Sequence, residues 1–339
     1  MLVTPGKQFV TDELVTLAKL NQLGNPVVKL DDREVNLSNL SDTLQNILSY
    51  ASITNALMNP QFDFSTRLPG DGPYTTFLGG TVHIYSVDRW VVPNNTEWSR
   101  VAFPVGQTSV PDFPRYMLHI RQAAPIDPAI NPAYLGQRVI GVQTFAGKEV
   151  TWAIYARADS DITVQMQLSQ FFGTGGSPSP TRNTTAQSYV LPAGEWTQLV
   201  YTTTLPSVSG KILGTINDWV EVRCILPQGA VFQIDFAHAQ FQLGGDASYF
   251  QWRPHVLEIS LCNLFYERTQ AVLASSVATH YPCFYFNTPK RNIPSLILGT
   301  PTAGSGATIL PLSINGFYQN TANSAIGISS VQADAELYP

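Results

Sequence analysis

The chain of 339 residues is long enough for two or three domains, each with its own core. Hydrophobic residues make up 44% and charged residues only 13%, about half the globular share of roughly 25%, so Ser, Thr, Asn and Gln carry most of the polar surface. A net charge of −5 with no Lys/Arg run excludes a phosphate-neutralising nucleic-acid footprint, and no apolar run of about 18 residues is present for membrane insertion.

The opening "MLVTPGKQFVTDELV" lacks the basic, apolar, small-residue layout of a signal peptide, so synthesis without secretion is the expectation. "TDELVTLAKLNQLGNP" has an acidic first turn, leucines at helical spacing and a Gly-Asn-Pro stop, which predicts a short helix. "NLSNLSDTLQNILSYASITNALMNP" predicts a second helix, ended by Asn59-Pro60. Its residues Leu37, Leu40, Leu44, Ile47 and Ala51 recur by three and four, the spacing of a coiled-coil seam. Two heptads do not stabilise an isolated helix, so the seam either self-associates or docks on a neighbouring domain.

From about residue 60 to 255 the period becomes two. "RYMLHIRQ", "VTWAIYARA", "ITVQMQLSQ", "WTQLVYTTTL", "DWVEVRCIL" and "AVFQIDFAHAQFQL" predict strands with no helical pattern between them, hence an antiparallel β-sandwich. "FGTGGSPSPTRNTT" predicts an exposed loop and a contact surface. "VLEISLCNLFYERTQAVLAS", residues 256–275, predicts a helix with Leu257, Leu261, Leu264 and Phe265 on its buried face and Glu258, Glu267 and Arg268 on the other. Strand patterns return from 280 to 339 as a small terminal β-unit.

Little of the sequence carries chemistry. Gly-x-Ser-x-Gly is absent, and "GTPTAGSGAT" lacks the Lys a phosphate loop requires. His83, His119, His238, His255 and His280 are scattered without metal-ligand spacing, and no cofactor is implied. Cys224, Cys262 and Cys283 are odd in number and widely spaced, which reads as buried thiols rather than a disulfide framework. Asp31, Asp32 and Glu34 read as a solvated loop, and no two carboxylates are paired by the sequence. Sugar binding by a sandwich rests on aromatic faces. Trp98, in the polar stretch "PNNTEWSR", has the best claim to exposure, followed by Tyr134 and by Phe317 and Tyr318 in "INGFYQN". Trp152 and Trp196 read as packing residues.

The succession "NPQFDFSTR", "SVDRW", "AHAQFQLGGDASYFQWRP", "LEISLCNLFYER" and "ADAELYP" resembles a family of bacteriophage fibre and virion-structural proteins. In that family a jelly-roll, carbohydrate-binding-module-like domain ends in a phrase close to "QLE-G-ATPFE-RP---EL-LCQRYYE", and a small β-domain follows that finishes with "ADAEL". Gln240 to Leu243, Ala247, Phe250, Arg253-Pro254, Glu258, Leu261-Cys262 and Phe265 to Glu267 fall on that phrase. Asn263-Leu264 stand where the family has Gln-Arg.

The resemblance covers most of residues 59–339 and carries no shared catalytic residues. It implies a mainly β chain in three parts: an N-terminal helical attachment and oligomerisation segment (1–58), a jelly-roll β-sandwich (59–255), and a linker helix with a C-terminal β-domain (256–339). It further implies a non-enzymatic virion fibre made in the host cytoplasm. The expected partners are two further copies in a homotrimer, other virion proteins through residues 1–58, and host-surface polysaccharide through the β-domains. A tailspike-type glycan depolymerase and a purely structural capsid-decorating protein stand as the alternatives. In such jelly rolls a last-strand aspartate can hold calcium, which makes Asp235 a weak candidate ligand.

Overall fold

A computed structural model describes residues 2–4, 27–29 and most of 55–336. The chain divides into two compact units, 1–53 and 54–339. In the first, β1 (Leu2–Thr4) pairs antiparallel with β2 (Val27–Lys29). Both expected N-terminal helices, and the seam of Leu37, Leu40, Leu44, Ile47 and Ala51, lie outside the described residues.

The second unit opens on residues 55–73, with no strand or helix among those described, and then builds a sandwich. Its strands are β3 (Tyr74–Thr75), β4 (His83–Tyr85), β5 (Val91–Pro93), β6 (Glu97–Ala102), β7 (Tyr116–Gln122) and β8 (Tyr134–Ile140). A single turn, α1 (Val142–Phe145), precedes β9 (Glu149–Ala158), β10 (Ile162–Phe171), β11 (Arg182–Asn183) and β12 (Gln187–Leu191). β13 (Thr197–Thr204), β14 (Trp219–Ile225) and β15 (Phe232–Leu243) complete it. One sheet has six strands in the order β13-β9-β15-β7-β6-β3; the other has seven, β11-β10-β14-β8-β5-β4, with β12 also on β10. Every strand pairing is antiparallel, as the period-two pattern without helices predicts.

The alternation is clearest on β9, where Val150, Trp152, Ile154 and Ala156 are buried inward and Thr151, Ala153, Tyr155 and Arg157 point outward. The core between the sheets holds Phe62, Trp90 and Trp152 in sequence, with ring centroids 5.2 and 6.4 Å apart. On β15 the register against β9 slips between Ala237 and Gln240. His238 sits at that bulge with φ of 48°, so Phe236 and Ala239 both reach the core. The loop at 172–185 is pinned to residues 212–216: Thr174 N–H donates to Ile216 O at 2.8 Å and Ser179 N–H to Ile212 O at 2.9 Å. Gly214 permits this approach, because a Cβ there would lie 2.5 Å from the Thr174 backbone nitrogen.

Residues 55–58 are not helical, against the expectation of a helix running to Asn59. Asn55 explains why: its side chain accepts from the N–H of Leu57 and of Phe241, each at 3.1 Å, and donates to Ala239 O at 3.0 Å. Ala56 N–H donates to Phe241 O at 2.8 Å, so this stretch pairs with β15 instead of coiling.

The helix expected over 256–275 is shorter. α2 spans His255–Asn263 and gives way to β16 (Tyr266–Ala274), whose Thr, Val and Tyr content suits a strand. Phe265 is buried and Arg268 exposed as expected, but Leu257, Glu258 and Glu267 are reversed. Glu258 is buried and Leu257 is exposed, because Arg253 waits inside for a carboxylate. β17 (Cys283–Tyr285), β18 (Ser295–Leu298), β19 (Pro301–Ala303), β20 (Thr308–Ser313), β21 (Gly316–Asn320) and β22 (Ile326–Asp334) follow. β22 gathers β16, β18 and β19 into one small sheet; β17, β21 and β20 form another. Cys224 and Cys262 are free and buried, and burial pushes the Cys224 thiol up to about 12, well out of reach of a reactive thiolate.

Candidate functional site

The outward positions of the six-stranded sheet form an open face that carries half-buried rings and amides. Tyr155 on β9, Gln198 on β13, Gln240 on β15 and Phe250 beyond it line a cleft with Asp112 of the β6–β7 loop and His238 of the bulge. The enclosed part of the cleft measures about 30 Å³. A groove of about 350 Å³ lies against the same loop, bounded by Phe103, Val105, Phe113 and Tyr116. Asp112 and Phe113 hold φ of 58° and 49°, and Phe113 is 66% exposed, an unusual pairing of left-handed backbone and exposed ring. Burial, then the charge of Asp112, raises the Tyr155 phenol above its ordinary value.

Trp196 joins this face. The sequence places it as a packing residue, but it is only half-buried, with the Arg157 guanidinium 5.0 Å over its ring and Phe103 at 5.4 Å. Arg157 is fixed from below by Asp235, which accepts from it at 2.6 Å and from His119 Nδ1 at 2.7 Å. Burial alone would raise the Asp235 carboxyl; the hydrogen bonds from His119 and Arg157 outweigh it and hold the group below the ordinary 3.8. A lowered folded value means stabilisation that is present above about pH 4 and lost as pH falls through the folded value. Asp235→Asn is therefore expected to cost about 1 kcal/mol at pH 7, with the gap from wild type narrowing in urea unfolding as pH falls below about 4.

His238 is the most constrained group here. Its ring stacks on Phe250 at 3.9 Å and 4°, and Gln61 Nε2–H donates to its Nε2 at 2.9 Å. That bond places the ring proton on Nδ1, which is buried without a protein partner among the described residues. Burial pulls its pKa down to about 3, so the ring is neutral. Gln198 Nε2–H donates to Ala247 O at 3.3 Å, and Gln240 Oε1 accepts from Gln251 N–H at 3.2 Å, which ties Ala247 and Gln251 to the sheet.

The residues singled out from the sequence lie elsewhere. Trp98 is fully buried in the core against Tyr74, because it is the inward residue of β6. Tyr134 is buried on the seven-stranded sheet, where its hydroxyl donates to Glu221 Oε1 at 3.0 Å and burial raises its pKa. Phe317 is buried against Phe286 at 5.7 Å; the Tyr318 side chain lies outside the described residues. Asp235 directs its oxygens to His119 and Arg157, which corrects its place as a calcium ligand; no metal-ligating cluster occurs among the described residues.

The phrases that carry the family resemblance converge at a second place. Arg67 of "FDFSTR" lies between the rings of Tyr85 and Tyr266, 3.9 Å from each, and donates to Asp334 at 3.1 Å and Glu336 at 2.7 Å of "ADAEL". Arg89 of "DRW" donates to the other oxygen of Glu336 and packs 3.4 Å over Phe265. Arg253 of the Arg-Pro pair donates to Glu258 Oε2 at 2.8 Å and to the carbonyls of Asn55 and Leu57, while Glu258 accepts from Asn59 N–H at 2.6 Å. These groups are buried and joined to one another, so they form a junction between the sandwich, α2 and the C-terminal strands rather than a ligand site.

No family model and no curated protein matches the sequence. Solved structures do. The CBM22-2 xylan-binding domain from Paenibacillus barcinonensis is 11% identical with a TM-score of 0.34, over 46% of this chain and 92% of that one. The N-terminal cellulose-binding domain of Cellulomonas fimi β-1,4-glucanase C is 15% identical with a TM-score of 0.30, over 44% and 90%. The enzymatically active domain of bacteriophage CBA120 tailspike protein 4 is 11% identical with a TM-score of 0.31, over 56% of this chain and 22% of that one. The ligand named for each belongs to that protein alone.

Proposed function

We propose that this chain is a non-enzymatic virion fibre protein that meets host-surface polysaccharide through the open face of the six-stranded sheet. One observation carries the binding reading: half-buried Tyr155, Trp196 and Phe250 share that face with the amides of Gln198 and Gln240. Rings present apolar faces to pyranose rings, and amides exchange hydrogen bonds with hydroxyls. A depolymerase needs a second carboxylate within catalytic range, whereas Asp112 is the one that lines the cleft among the described residues. The virion role is supported by the resemblance, and it assigns trimerisation and particle attachment to residues 1–58.

Affinity electrophoresis of the full chain through gels containing a panel of bacterial surface polysaccharides tests the binding. At least one is expected to retard it, with the affinity about tenfold weaker in Tyr155→Ala and in Trp196→Ala. Retardation by none, or unchanged binding in both variants, would remove the open face from the reading.

A further inference from the structure

Within that glycan-binding reading, on which this step rests, we infer that the cleft takes one hydroxyl or hydroxymethyl group of an uncharged sugar, with His238 Nδ1–H donating to it and Asp112 accepting from it. Three observations lead there.

The first is the donor. His238 lines the cleft, is 3% exposed, and is the lining side chain whose buried nitrogen has no protein partner among the described residues. Its orientation is fixed by Gln61 on one side and by the Phe250 stack. A buried N–H without an acceptor is unfavourable, and a ligand oxygen satisfies it. Neutrality of the ring across the physiological range makes this a plain N–H donor rather than a cation that would draw anions.

The second is size. About 30 Å³ holds one or two water-sized groups and not a pyranose ring. The ring must therefore lie over the cleft, beside Tyr155 and Phe250, with one substituent inserted.

The third is charge. Arg157 is engaged by Asp235 at 2.6 Å and Arg121 by Glu97 at 3.5 Å, and Arg115 lines the neighbouring groove instead. The charge that lines the cleft among the described residues is the Asp112 carboxylate. A uronate or sialate group would accept from Nδ1–H, but it would also face Asp112 with no cation lining the cleft to offset the repulsion. A hydroxyl satisfies both, since it accepts from His238 and donates to Asp112.

The test is affinity electrophoresis of the full chain against uncharged polysaccharides (mannan, galactan, glucan) and acidic ones (polygalacturonate, polysialate). Each is run at about 50 and about 300 mM salt, which spans a marked change in screening. The expected result is retention by an uncharged polysaccharide that does not change with salt, and none by the acidic pair. His238→Phe, which keeps the stack on Phe250, is expected to weaken that retention about tenfold, and Asp112→Asn about threefold or more. Salt-sensitive retention by an acidic polysaccharide, or wild-type retention by both variants, overturns the inference and leaves glycan binding standing. Retention by no polysaccharide overturns glycan binding itself and the inference with it. Should His238→Phe fail to fold by thermal unfolding, the exposed Asp112 decides the matter alone.

Discussion

Glu336→Ala lowers the unfolding free energy by about 3–5 kcal/mol, the usual cost of removing one partner from a buried ion pair. The Glu336 side chain is 1% exposed and receives Arg67 through one oxygen and Arg89 through the other. Its loss leaves Arg89, whose side chain is 2% exposed, without a carboxylate and leaves Arg67 with Asp334 alone, while the aromatic rings packed on both supply no full charge. Arg67 shows how strongly the acids act: burial would lower its pKa, yet Glu336 and then Asp334 raise it. Glu336→Gln costs less, because the amide oxygen still accepts from one arginine. Urea unfolding at pH 7 measures both; a wild-type midpoint for Glu336→Ala would mean the junction contributes nothing to stability.

Arg253→Ala is expected to cost a similar amount, about 3–5 kcal/mol, through a different set of partners. It removes the donor to the carbonyls of Asn55 and Leu57 and leaves Glu258 buried with only the Asn59 N–H. The same interactions set how far the N-terminus can be shortened. A chain starting at residue 54 keeps Asn55 paired with β15 and Leu57 fully buried in the core. A chain starting at residue 59 loses both, and a buried Leu side chain alone is worth about 2–5 kcal/mol. The two truncations should therefore separate clearly in urea, the first close to the full chain and the second several kcal/mol below it. Coincident midpoints would show that residues 55–58 are dispensable.

The sandwich was legible in the sequence wherever one face of a strand is buried and the other is wet. β9 and β10 fall on the strands read from "VTWAIYARA" and "ITVQMQLSQ", and Trp152, read as a packing residue, is in the core. Even the bulge leaves a trace: the apolar positions 232, 234 and 236 are followed by 239 and 241, a phase slip of one residue that marks His238. The site was not legible for the same reason that the strands were. "PNNTEWSR" announces polar neighbours but not the side to which Trp98 points, and β6 turns it inward. Tyr155 and Trp196 belong to strand patterns that look like packing. Only the fold brings Tyr155 to a cleft with Asp112, Ala247 and Phe250 and sets Trp196 against Phe103. The "VLEISLCNLFYERTQAVLAS" stretch misleads because its apolar spacing fits a helix, whereas a buried Arg253 and a paired β22 decide where each residue goes.

The junction also ties the start of the sandwich to the end of the chain. Asn59 meets Glu258 across 199 positions, Arg89 meets Glu336 across 247, and Arg67 meets Asp334 across 267. Arg67 and Arg89 are thus made well before the acids that accept from them. A nascent chain can pair its central strands while it is still being translated, but it cannot neutralise those arginines until Asp334 and Glu336 have been made. Contacts of such separation form late in any case, since the loop they close must be ordered first. A chain cut just before Glu336 would keep the strands of the sandwich and lack the acceptor that Arg67 and Arg89 share.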